Sequence, residues 1–212
     1  MIHAYQETYL NSARKILAVA FDYVINDCKI SPCEFVKMFL GSNICKKIEN
    51  GEPKFLVGKS GVELALDIIE ETTGNRIYIE QNINFSRSKE YWVGWVISYY
   101  QWYSNRTYND IFNVVSIDDL YFMYNTLHEA DISKFVDIID KKMKLHYNET
   151  NLARIRKRCK MTQKELSDKS GVNLRSIQMY EQKNKDINKA SIENIYRIAK
   201  VFGCSLEELI EK

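Results

Sequence analysis

An all-α fold is predicted by three features of the sequence. Apolar residues recur at intervals of three and four rather than two. Only 2 prolines and 8 glycines interrupt 212 residues, and a Ser, Thr, Asn or Asp stands ahead of most apolar-periodic runs, where helix caps belong. A chain of this length exceeds what one small helical core requires and is comfortable for two. With 45% hydrophobic and 27% charged residues, the composition is that of packed domains and argues against disorder and fibrous repeats.

The first helix is expected from about Ala4 to Asp27, with Tyr9, Ala13, Ile16, Leu17, Ala20, Phe21 and Val24 in one apolar stripe. A second opens at Ser31, a cap followed by Pro32 in the first helical position. Ser42 caps a short helix ending near Gly51. Ser60 and Glu63 form a capping box for a helix to about Thr72, which Gly74 ends. Ile77, Ile79 and Ile83 alternate, so an extended stretch or small hairpin is expected over Asn75 to Asn84. Further helices begin near Ser88, Thr107, Ser116 and Asp131, the last ending around His146. The polar junction Tyr147 to Thr150 places a domain boundary between residues 148 and 149.

Charge divides at the same place. Residues 149 to 212 hold 14 bases against 9 acids, a net +5, whereas residues 1 to 148 hold 16 against 19, a net −3. Only the C-terminal part suits a polyanion. The five cysteines, Cys28, Cys33, Cys45, Cys159 and Cys204, are odd in number and lack paired C-x-x-C spacing, so reduced thiols in a cytoplasm are expected. Met1 to Glu7 has no basic region leading into an apolar stretch. The most apolar window, Trp92 to Tyr103, is short and contains Ser98 and Gln101, so neither export nor membrane spanning is expected.

Catalytic patterns are wanting, and no enzyme, cofactor or metal is expected. Gly58, Lys59 and Ser60 have the look of the end of a phosphate-binding loop, but Pro53 occupies the place of its first glycine and no parallel-sheet pattern surrounds it. His3, His128 and His146 lack zinc-protease spacing, and Cys28 with Cys33 lacks a second ligand pair. His128, Glu129 and Asp131 fall at a helix junction, where capping explains them.

Past residue 149 the start and stop signals define five short helices. Asn151 to about Lys160 buries Leu152 and Ile155 and exposes Arg154, Arg156, Lys157 and Arg158. Thr162 and Glu165 form a capping box for Gln163 to Ser170, stopped by Gly171. Asn173 caps Leu174 to about Gln182, which turns Ile177 and Tyr180 inward with Val172 and turns Leu174, Arg175, Gln178 and Gln182 outward. A fourth helix from about Lys189 supplies Ile192, Ile195, Ile198, Ala199 and Phe202 to the core and ends at Gly203. A last helix, capped by Ser205 and Glu208, adds Leu206, Leu209 and Ile210.

The run T-Q-K-E-L-S-D-K-S-G-V-N-L-R-S-I-Q-M-Y-E, Thr162 to Glu181, followed by G-C-S-L-E-E-L, resembles the Cro/Xre family of phage-repressor-like helix-turn-helix domains over about 60 residues. The resemblance implies a transcription regulator, typically a dimeric repressor, that lays its third helix in the major groove of double-stranded DNA. Every base pair there presents a distinguishable donor and acceptor pattern. Carried over by position, it implies base reading by Leu174, Arg175, Gln178 and Met179. It implies phosphate contacts from Gln163, Lys164, Asn173, Ser176, Lys183 and Lys185. The loop Lys183 to Lys189 departs from the family in lacking its usual glycine and proline.

Segments of residues 1 to 148, F-D-Y-V-I-N-D-C, K-S-G-V-E-L, E-Y-W-V-G-W and Y-Y-Q-W, resemble helical domains fused to such modules in low-GC Gram-positive bacteria. This domain is expected to hold a homodimer on a palindromic operator, or to receive a signal or partner. An antitoxin that blocks a toxin through residues 1 to 148 and represses its own operon is the alternative. In the aromatic cluster Tyr91 to Tyr103, positions 92, 95, 99, 102 and 103 share a helical face. Core packing is the expected use of that face, with a ligand cleft or an interface as the alternatives.

Overall fold

A computed structural model describes residues 3–77, 79–82 and 87–211. The fold is all-α, and no strand occurs among the described residues. The chain divides into two compact units, residues 3–142 and 143–211, with the division inside one long helix.

The first unit is built on α1, Leu10–Asn26. A 3-10 turn over Glu7–Tyr9 precedes it, so the helix begins later than the apolar stripe suggested. Ala13, Ile16, Leu17, Ala20, Phe21 and Val24 are buried as a stripe requires. Around it stand α2, Pro32–Gly41; α3, Asn43–Glu49; α4, Pro53–Leu56; α5, Gly61–Thr73; α6, Lys89–Ser104; α7, Tyr108–Phe112; α8, Ile117–Leu127; and α9, Ile132–Tyr147. Ser31, Ser42, Ser60, Ser88, Thr107 and Ser116 each accept a hydrogen bond from the backbone N–H three residues on, as their positions foretold.

Helices α1 and α6 cross closely because Gly94 has no side chain. A Cβ there would lie 2.6 Å from the carbonyl oxygen of Leu17 and 2.8 Å from the Cα of Ala18. Aromatic rings fill the remaining space edge to face, Phe21 against Phe35 at 4.9 Å and Phe39 against Tyr108 at 4.8 Å. The phosphate-loop look-alike dissolves in the fold. Lys59 pairs with Asp67, and Ser60 forms a reciprocal capping box with Glu63. No strand or hairpin is formed over the described residues 75–77 and 79–82, whereas 78, 83 and 84 lie outside the described residues.

The second unit contains α10, Asn151–Arg158; α11, Gln163–Ser170; α12, Leu174–Glu181; a 3-10 turn, Ile187–Lys189; and α13, Ile192–Phe202. Its core joins Leu152, Ile155, Leu166, Val172, Ile177, Tyr180, Ile195, Ile198, Ala199, Phe202 and Leu209. Three expectations fail here. Helix α13 starts at Ile192, and that side chain is 77% exposed instead of joining the core, because it lies in the first turn at the margin of the apolar stripe. Residues 204–211 form bends and turns, not a fifth helix. Asn188 and Asn151 occupy the backbone groups of this segment: Asn188 Oδ1 accepts from the Glu211 N–H at 2.9 Å, and Asn151 Nδ2 donates to the Ile210 carbonyl at 2.7 Å. Arg156 and Arg158, expected on the surface, turn inward, Arg158 being 6% exposed.

All five cysteines are free thiols, and burial pushes Cys45 upward and Cys204 to about 11, so neither is a ready thiolate at neutral pH. Among the described residues no helix is long and apolar enough to cross a membrane, and no group of His, Cys, Asp or Glu is arranged to hold a metal.

Candidate nucleic-acid interface

The geometry of the second unit starts with its caps. Thr162 Oγ1 accepts from the Glu165 N–H at 3.1 Å, and the Glu165 carboxylate accepts from the Thr162 N–H at 2.7 Å. Donation from the Thr162 N–H, and from the Thr162 hydroxyl at 2.8 Å, holds the Glu165 carboxyl below the usual carboxylate range. With that end fixed, the first two amides of α11, those of Gln163 and Lys164, have no intrahelical acceptor and face outward from the helix start. Gly171 ends α11 at φ 69°, a left-handed conformation that a side chain disfavours. Ser167 Oγ donates to the Val172 carbonyl at 2.7 Å across the turn. Asn173 then opens α12, its Oδ1 accepting from the Arg175 N–H at 2.8 Å.

Helix α12 has two faces. Ile177 and Tyr180 are buried on the inner one. On the outer one Arg175 is exposed, and Leu174, Gln178 and Met179 are half-buried, none of them part of the core. The only acid on α12, Glu181, is taken out of play. Its carboxylate receives a two-pronged contact from Arg156, at 2.6 Å from Nε and 2.8 Å from Nη2, and a third bond from Gln163 Nε2 at 2.8 Å. Arg156 Nη1 also donates to the Met161 carbonyl at 2.7 Å. Hydrogen bonding to Glu181 raises the Arg156 pKa above its ordinary value. Both partners are largely buried, so the bond ties α10, the start of α11 and the end of α12 into one rigid piece. The outer face of α12 is left with one charge, that of Arg175.

Sequence reasoning missed this buried triad. It counted Arg156 among the exposed bases and gave Gln163 only a phosphate role. The signal was present in the motif itself, where Glu181 follows Tyr180 on a helix whose other polar residues are neutral or basic.

Of the remaining expected contact residues, Lys164 and Asn173 are exposed and Ser176 is half-buried. Lys183 sits at φ 59°, the left-handed position after α12 where a glycine was looked for, and its Nζ donates to Asn148 Oδ1 at 2.6 Å. Lys185 Nζ lies 5.6 Å from the centre of the Tyr180 ring.

Residues 152–209 match a family model described as helix-turn-helix. No curated protein and no solved structure matches the chain. The match makes the C-terminal unit a helix-turn-helix module and the chain a DNA-binding regulator in general terms.

Proposed function

We propose that the chain is a homodimeric, sequence-specific repressor of transcription that lays α12 in the major groove of double-stranded operator DNA. The observation that carries this reading is the outer face of α12. It presents Leu174, Arg175, Gln178 and Met179 on a helix whose inner face is anchored by Ile177 and Tyr180 and whose one acid is neutralised by Arg156. An arginine fork fits guanine O6 and N7, a glutamine amide fits adenine N6 and N7, and Leu174 and Met179 suit a thymine methyl group. Gln163 keeps a backbone N–H and one amide hydrogen for a phosphate oxygen while the other amide hydrogen holds Glu181. Asn173, Ser176, Lys164, Lys183 and Lys185 supply further phosphate contacts, which position the helix without choosing a sequence.

The DNA-reading domain in this proposal is 149 to 212, and residues 1 to 148 hold the dimer or receive a signal or partner. Exposed apolar side chains support self-association. Phe122 on α8 is 77% exposed in the first domain, and Ile192 and Tyr196, at 77% and 57% one turn apart on α13, offer a second contact from the DNA-reading domain. Selection of bound sequences from random duplexes by the full-length chain tests the whole reading. The expected product is a palindrome whose half-sites are about 34 Å apart, one turn of B-DNA. Failure to enrich any sequence at low salt would overturn it.

A further inference from the structure

The interior of the first unit leaves one cation unanswered. Arg14 on α1 is 8% exposed, and its Nε and Nη2 have no hydrogen-bond acceptor. Its guanidinium carbon lies 3.3 Å from the centre of the Trp95 ring and 4.7 Å from that of Tyr99. Burial lowers its pKa to about 10, so the group remains a cation at neutral pH. The ring faces offset part of the cost of burying it, and no carboxylate does.

Trp95 is also a wall of a cleft of about 190 Å³. Arg14 touches that tryptophan but is not a lining residue. Tyr91, Trp92, Trp95 and Tyr124 form an aromatic enclosure, with Trp92 and Tyr124 edge to face at 5.6 Å. Among the described residues the polar lining consists of Arg87, Ser88 and His128, and none of those that line the cleft is acidic. Ser88 is spent on structure, because its Oγ caps α6 through the Tyr91 N–H at 3.0 Å and donates to Asp22. His128 Nδ1 is bonded to the Tyr124 carbonyl at 2.8 Å, and its Nε2 lies 3.6 Å from the exposed Glu129. Arg87 lies over the Tyr91 ring at 5.3 Å, has no carboxylate partner among the described residues, and stands at the positive end of α6.

We propose that this cleft binds a small planar aromatic carboxylate, its ring held between the Tyr and Trp walls and its carboxylate forked by Arg87. The size fits, since a cavity of roughly 150 Å³ accommodates a benzene ring and this one leaves room for one substituent. The sign fits as well. Arg87 and the α6 N-terminus bring positive charge to the cleft, and the nearby acids, which keep their charge, are held in hydrogen bonds to other groups. Asp22 accepts from Ser88 and Asn26, and Glu90 accepts from Asn26 at 3.3 Å and lies 3.9 Å from Lys89 Nζ. This site is independent of how the C-terminal unit reads DNA.

The test uses the full-length chain and titrates benzoate, benzamide, benzylamine and acetate, following tryptophan fluorescence and heat of binding. Benzoate is expected to bind at least about tenfold more tightly than benzamide, the worth of one charge-assisted fork, with acetate and benzylamine weaker still. Arg87→Gln, at an exposed position outside any helix, should erase the preference for benzoate over benzamide while leaving the helical content and the binding of the ring intact. Benzoate and benzamide binding alike, a preference that survives Arg87→Gln, or no binding of either ring at millimolar concentration would each overturn the proposal.

Discussion

Arg175→Ala isolates the reader from the scaffold that carries it. The Arg175 side chain is exposed and no described residue pairs with it, while its backbone N–H is held by Asn173 Oδ1 at 2.8 Å whatever the side chain. Alanine is the better helix former, so stability should change by no more than about 0.5 kcal/mol. On DNA the loss is that of one bidentate base contact, about 1 to 3 kcal/mol, or roughly 5- to 150-fold in affinity per half-site. A dimer places two copies of α12 on a palindrome, so the whole operator should lose about 2 to 6 kcal/mol. Fluorescence anisotropy on the selected operator and on a random duplex separates the two kinds of contact. The specific complex should weaken steeply and the random one only slightly, with base choice relaxed at one position per half-site. Equal losses on both duplexes, with unchanged unfolding in urea, would refute the assignment of Arg175 as a base reader.

Lys164→Ala should weaken specific and random DNA alike and reduce the slope of log affinity against log salt by about 1 per subunit, measured by the same anisotropy series. Lys183→Gly should relieve a left-handed backbone at φ 59° and stabilise the fold by about 1 kcal/mol in urea unfolding, while weakening binding to every duplex through the lost charge. Thr162→Ala should cost about 1 kcal/mol through the lost cap. In the native chain the Glu165 carboxyl titrates below its ordinary 4.5, so its contribution is complete above that pH and is lost as pH falls through the lower folded value. Acid unfolding followed by circular dichroism should therefore show a smaller loss between neutral and acid pH in Thr162→Ala than in the native chain.

How much of this was legible in the sequence follows from the range of each interaction. Caps are local chemistry, and Ser31, Ser42, Ser60, Thr107, Ser116 and Thr162 all open the helices their spacing foretold. Helix stops were equally plain at Gly74, Gly171 and Gly203, each in the left-handed region. Periodicity was weaker at helix ends. Ile192 keeps the interval of three to Ile195, yet one turn at the margin of a stripe is enough to leave it in water. The fate of the C-terminal segment depended on Asn151 and Asn188, whose side chains reach Ile210 and Glu211 from 59 and 23 residues away. No local pattern announces such a bond.

Buried arginines were the other blind spot, because pattern reasoning assigns a long cationic side chain to the surface, and their two environments can be told apart by one substitution. Arg156 lies against Glu181, 25 residues away, and Arg14 against Trp95 with no anion at all. Removing one member of a buried ion pair leaves the other charge uncompensated, so Arg156→Met should cost about 3 to 5 kcal/mol and loosen the Glu181 end of α12. Arg14→Met removes a cation that lacks a counter-charge and puts a flexible apolar side chain in its place. The lost contact with the indole face, about 2 kcal/mol, is offset by relief of the desolvation cost, so stability should change by no more than about 1 kcal/mol. Urea unfolding of both variants decides the matter, and a loss in Arg14→Met as large as that in Arg156→Met would show that the Arg14 cation is compensated within the fold after all. A near-neutral Arg14→Met would mean that the charge is dispensable for folding, the indole face and the desolvation cost having cancelled.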